Sequence, residues 1–186
     1  MKKILLIIPI IICIISCEGD YDVSYEWIGL KAHNADNSNM WPVKSSADSM
    51  SMSTFAIKLV LDADEISRSG RYPDTETPPI NANPLDSLVI TSDFDFDVSH
   101  PAGTNLTDLF VILNDNYFRS LPANGSEGYF ITKIYANDFN DQYNVDEIDL
   151  LLINNPDFPS FQQFHIYFRL SDGTVFKDST EIIYLY

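Results

Sequence analysis

Asp93, Asp95 and Asp97 stand at alternate positions, and carboxylates that converge on one point hold a hard cation such as calcium. On an extended strand, alternate side chains project in parallel about 6 to 7 Å apart. These three, the nearest approach to a metal site in the chain, are therefore expected to face solvent. The oxygen-rich run at 137–142 lacks the glycine and closing glutamate of an EF-hand loop and reads as a turn. His33, His100 and His165 lie more than sixty residues apart, with no His-x-x-x-His or Cys-x-x-Cys spacing that would suggest zinc. No Gly-x-Ser-x-Gly elbow presents a nucleophilic serine, and no glycine-rich loop cradles phosphate. A glycoside hydrolase needs two carboxylates about 5 to 10 Å apart. Among 27 acidic residues such a pair is permitted without being indicated. The expectation is a protein that is not an enzyme and carries no cofactor.

The cysteines point elsewhere. Met1, Lys2 and Lys3 precede an apolar run at 4–15 broken only by Pro9 and Cys13, the make-up of a secretory signal peptide. That run falls short of the roughly 20 residues a membrane-spanning helix needs. It ends in Ile14-Ile15-Ser16-Cys17, which resembles the lipobox of bacterial lipoproteins: an aliphatic residue, a tolerant position, a small residue, then cysteine. The resemblance implies lipid transfer to the Cys17 thiol and cleavage that leaves Cys17 as the new N-terminus. Several acyl chains on one residue hold a protein to a membrane far more firmly than one chain does. Residues 1–16 are then a lipoprotein signal peptide, 17–22 an acidic tether and 23–186 a single domain. Glu18, Asp20 and Asp22 in the tether look like the surface-export tag of Bacteroidetes lipoproteins, and a merely solvated acidic linker is the other reading.

Loss of residues 1–16 removes Lys2, Lys3 and Cys13, and shifts the net charge from -16 to -18. With Cys17 as the remaining cysteine, no disulfide can form within the chain, and stability must come from packing. A chain that is 45% hydrophobic has the means for a core. So acidic a surface repels nucleic acid, because the phosphate backbone has no cations to exchange with it.

The elements that must position any site read as strands. Tyr21, Val23, Tyr25 and Trp27 share one parity, as do Phe55, Ile57, Leu59 and Leu61, and Phe164, Ile166, Phe168 and Leu170. The segment at 86–98 puts Leu88, Ile90, Phe94, Phe96 and Val98 opposite Thr91, Asp93, Asp95 and Asp97, a strand with an apolar and an acidic side. Segments 129–136, 147–153 and 182–186 complete seven or eight strands, and Asp172-Gly173 supplies a tight hairpin. Leu106, Leu109, Phe110 and Leu113 fall on one helical face and predict a short helix. Two long polar connections are expected, at 32–53 and 67–84, the second rich in proline. The fold class is all-β: a two-sheet antiparallel sandwich, immunoglobulin-like, with one short helix.

Trp41, Tyr72 and Tyr117 sit in or beside polar segments, where exposed aromatics stack on sugar rings or anchor protein contacts; plugging the ends of the sandwich is the alternative. Asp48-Ser49-Met50, Asp86-Ser87-Leu88 and Asp178-Ser179-Thr180 look like the tripeptide that Bacteroidetes use for periplasmic O-glycosylation, which implies sugar on Ser49, Ser87 or Ser179. The segment from His100 to Leu106, the acidic strand before it and the Asp172-Gly173-Thr174 hairpin are similar to a family of small Bacteroidetes lipoproteins with a domain of unknown function. That resemblance implies envelope location and sandwich architecture, not a mechanism. The expected role is a binding or interaction module held to the outer membrane through the N-terminal lipid, with a glycan or envelope protein as partner. The alternatives are a structural accessory subunit and a carboxylate-dependent glycan hydrolase.

Overall fold

A computed structural model describes residues 22–39, 41–69, 80–113, 129–130, 147–154 and 158–186. The leader, Cys17, Tyr72, Tyr117, the run at 137–142 and most of the strand expected at 129–136 lie outside them. The described residues hold thirteen strands: β1 (Asp22–Asp36), β2 (Val43–Lys44), β3 (Ser49–Met50), β4 (Phe55–Ser69), β5 (Ile80–Asn81), β6 (Leu85–Ser92), β7 (Phe110–Leu113), β8 (Tyr129–Phe130), β9 (Glu147–Leu152), β10 (Ser160–Gln162), β11 (Phe164–Leu170), β12 (Val175–Ser179) and β13 (Ile183–Leu185). One sheet runs β2-β1-β4-β9-β7-β8 with β5 on the edge of β1, a second β12-β11-β6, and a third β10-β13-β3. Pairing is antiparallel except for β5 on β1 and β3 on β13. The fold is all-β.

Strands β1 and β4 pair along their length, with breaks in register between Ser24 and Tyr25 and between Trp27 and Gly29. The second break is a bulge that leaves Ile28 without an opposite residue, and it reverses the parity of β1. Trp27 is buried before it; Leu30 and Ala32 point to the core after it. The alternation of Phe55, Ile57, Leu59 and Leu61 on β4 is realised as the sequence predicts, and all four are buried.

The inner faces of the first two sheets meet through aromatic rings. Trp27 meets Phe168 edge-on at 5.3 Å, Phe55 stacks on Phe164 at 5.2 Å, and Phe110 meets Phe164 edge-on at 5.6 Å. Each such ring contributes about 1.5–3 kcal/mol by leaving water. Met50, Ile183 and Leu185 of the third sheet belong to the same core.

The sheets are also tied at their edges. The Ala32 amide on β1 donates to Asp178 Oδ2 of β12 at 2.7 Å. At the far side of β6, the Leu106 amide donates to the Ile90 carbonyl at 2.8 Å, and the Ile90 amide donates to Thr107 Oγ1 at 3.0 Å. This second tie corrects the expected helix. With Leu106 and Thr107 engaged by β6, only a single 3-10 turn (Thr107–Leu109) fits before Phe110 enters β7. A short apolar run serves a buried strand as well as a helix, and here the partner strand β9 decides it.

Two further expectations are corrected. The acidic strand ends at Ser92, and the chain beyond it turns, leaving Phe96 buried but Val98 87% exposed. The connection at 32–53 starts after Asp36 and contains β2 and β3. The predicted hairpin is present: Leu170 and Thr174 close it, with Gly173 at φ 91°, where a side chain would be strained.

Candidate functional site

The turn that ends β6 separates the three aspartates. Asp95 Oδ1 accepts the Ala102 amide at 2.8 Å. Asp97 accepts the Ser99 and His100 amides at 2.7 and 2.8 Å and lies 2.9 Å from His100 Nδ1. Burial pushes the Asp97 carboxyl up, but the hydrogen bonds from His100 and Ser99 outweigh it and hold the group below its ordinary value. Asp93 leaves the loop for β11. Two of the carboxylates thus shape the turn. Among the described residues, no three His, Cys, Asp or Glu side chains gather as metal ligands would.

Asp93 Oδ1 lies 2.9 Å from His165 Nε2, and Ser179 Oγ lies 2.6 Å from His165 Nδ1. Strand register explains the second contact. The Thr180 amide donates to the Phe164 carbonyl, so His165 and Ser179, the next pair along, form a non-hydrogen-bonded pair whose side chains stand closest. Inward Phe164 and Ile166 force His165 onto the outer face, where Asp93 reaches it from the end of β6. In the tautomer that faces the Asp93 carboxylate with a proton on Nε2, Nδ1 accepts the serine hydroxyl. One step along the same face, Lys177 holds its ammonium 5.1 Å over the Tyr167 ring, and beyond it Arg169 pairs with Asp86 at 2.8 Å. Sequence reasoning missed this row because its members are scattered at 93, 165 and 179. The hairpin at Asp172-Gly173 pairs His165 with Ser179 by counting outward, so that half was open to discovery. Asp93 was not, because the predicted strand ran straight through it.

A different row crosses the third sheet. Phe161 of β10 lies opposite Tyr184 of β13, which lies opposite Ser49 of β3. The two rings are 5.1 Å apart and tilted by 56°, and Phe161 is 54% exposed. Gln162, Ile183, Leu185 and Met50 take the inward positions, so alternation alone sets the aromatics outward. Gln162 joins the rows: its Oε1 accepts Ser92 Oγ at 2.6 Å, and its Nε2 donates to the Asp95 carbonyl at 3.0 Å and to Ser160 Oγ at 2.9 Å.

Of the other residues marked in the sequence, Trp41 is 38% exposed, Ser49 is exposed, and Ser87 is half-buried in β6 opposite Arg169. Near the β1–β12 tie, Lys44 Nζ stands 3.3 Å from His33 Nε2. Burial lowers the His33 pKa and the Lys44 charge lowers it further. On the outward side of β4, Lys58 reaches Glu147 Oε2 at 2.8 Å and Asp149 Oδ1 at 2.9 Å, the latter off the axis of a hydrogen bond. Burial alone would pull the Lys58 ammonium down, and the two carboxylates reverse that and raise it.

No protein-family model, curated protein or solved structure matches the chain. No helix among the described residues is long and apolar enough to cross a membrane.

Proposed function

We propose that this chain is a lipid-anchored binding module of the bacterial cell envelope, an immunoglobulin-like sandwich that takes neutral saccharide through the Phe161–Tyr184 face. The observation that carries the reading is that aromatic pair, set on a sheet with Phe161 exposed and Tyr184 half-buried beside the exposed Ser49. Apolar ring faces stack on the C–H face of a sugar, and a neighbouring hydroxyl can meet its polar edge. The net charge of -16 favours neutral over acidic glycans.

The lipobox-like Ile14-Ile15-Ser16-Cys17 supports attachment at Cys17. β1 begins at Asp22, five residues later, so the tether holds the domain within about 17 Å of its anchor. Membership of the Bacteroidetes lipoprotein family, outer-membrane location with surface display, and O-glycosylation at Ser49, Ser87 or Ser179 belong to the same proposal. Ser49 is the most open of the three serines. Binding of a neutral oligosaccharide panel, with the Phe161→Ala/Tyr184→Ala double variant alongside, tests the ligand: the protein retains sugar and the variant does not. Equal binding by both, or none by either, removes the reading. Protease shaving of intact cells tests display, with loss of the domain expected.

A further inference from the structure

We propose that Ser179 is a nucleophile toward short acyl esters, with His165 as its general base and Asp93 as the positioning carboxylate. This is an activity beyond saccharide binding and independent of it. A serine hydroxyl is inert until a base takes its proton, and the base works only when a third group fixes its tautomer. The row brings both partners to the ring, with Ser179 Oγ hydrogen-bonded at 2.6 Å to one nitrogen of His165 and the Asp93 carboxylate 2.9 Å from the other. The roles of the two nitrogens are exchanged relative to the familiar serine hydrolase arrangement, which changes neither the proton path nor its length. Neighbouring strands β11 and β12 hold His165 and Ser179, Asp93 follows directly on the last residue of β6, and the edge tie from Ala32 to Asp178 pins β12 next to the serine.

The reaction closes on these groups and water. Ser179 Oγ bonds to the acyl carbon as its proton passes to His165 Nδ1. The ester C–O bond then breaks, and the departing alkoxide takes that proton. Water attacks the acyl-serine, its proton passing to His165, and the acid departs as Ser179 recovers a proton from the imidazolium. Lys177, two residues along β12 on the same face and resting over the Tyr167 ring, is the cation that would swing to the oxyanion. The row lies on an open sheet face, so the acyl group it suits is short and carried on a larger, exposed molecule.

The full lipidated chain in detergent is treated with a fluorophosphonate probe and, separately, with p-nitrophenyl acetate. Peptide mapping is expected to find the phosphonyl group on Ser179 and not on exposed Ser49, and Ser179→Ala to abolish both labelling and turnover. His165→Ala lowers the labelling rate by about 10²-fold or more, the usual contribution of a general base. Asp93→Asn lowers kcat with little change in KM, and Asp93→Glu restores part of it, as a positioning role requires. Matching thermal melts establish that the surface variants fold. Labelling of Ser179 no faster than Ser49, or labelling that ignores His165, overturns the proposal. Labelling without ester turnover above the Ser179→Ala background overturns the hydrolytic cycle.

Discussion

The two rows on the outer faces of this protein each join three residues remote in sequence and each end at a serine that follows an aspartate, yet different forces hold them. In the Asp93–His165–Ser179 row, polar contacts of 2.9 and 2.6 Å set one partner on each nitrogen of a single imidazole. In the Phe161–Tyr184–Ser49 row, ring contact fixes a surface and leaves its proton donors undirected. The first arrangement is suited to moving a proton, the second to covering an apolar ligand face. Strand register produces both, since it brings residues remote in sequence to adjacent positions.

The comparison breaks most completely at Phe164, whose ring touches both Phe55 and Phe110 beneath the His165 row. Phe164→Ala is expected to cost about 3–5 kcal/mol, read as a lower urea midpoint, with both rows losing function together. Gln162→Leu probes the joint between them. It leaves Ser92 Oγ and the Asp95 carbonyl without their buried partner, a loss of about 1–3 kcal/mol. Because it loosens the loop that carries Asp93, serine labelling should fall further than sugar retention.

Variants within the rows sharpen the contrast. Phe161→Ala/Tyr184→Ala should cost about 1–2 kcal/mol, the order of a half-buried ring pair, and His165→Ala less than about 1 kcal/mol. Each should remove only its own function in paired binding and labelling assays; loss of both from either variant would mean one site rather than two.

The smallest effect is one of pH. The folded-state pKa of Asp97 lies below its ordinary value of 3.8. Its contribution to stability is therefore present above that value and lost as pH falls through the folded pKa. Asp97→Asn should flatten the acid limb of a stability profile as pH falls through and below the ordinary carboxylate range, read as a shallower slope in parallel urea titrations.

Much of the scaffold was legible because side-chain alternation is a local property. Phe55 to Leu61 and Phe164 to Leu170 declare their inward faces by parity, and Gly173 declares its turn by tolerating positive φ. The rows were less legible. Phe161 and Tyr184 belong to ordinary strand patterns, and their outward placement follows only from Gln162 and Ile183 facing the core. Trp41, Tyr72 and Tyr117 are marked by the polar segments around them in the sequence, and Tyr184, between Ile183 and Leu185, carries no such mark. The helix expected at 106–113 failed for a related reason: an apolar spacing that suits one helical face also suits a strand once β6 and β9 offer backbone partners.

The sequence by itself determined the all-β character, the acidic surface and the hairpin, because period-two alternation, charge and backbone freedom reside in a few neighbouring residues. Tertiary structure decided that β6 stops at Ser92, that Ile28 bulges out and reverses the parity of β1, and that Asp93 meets His165. Those outcomes depend on contacts between groups remote in sequence, such as the hydrogen bond between Ser92 and Gln162 across 70 positions. Such bonds form only when the core has brought the strands together.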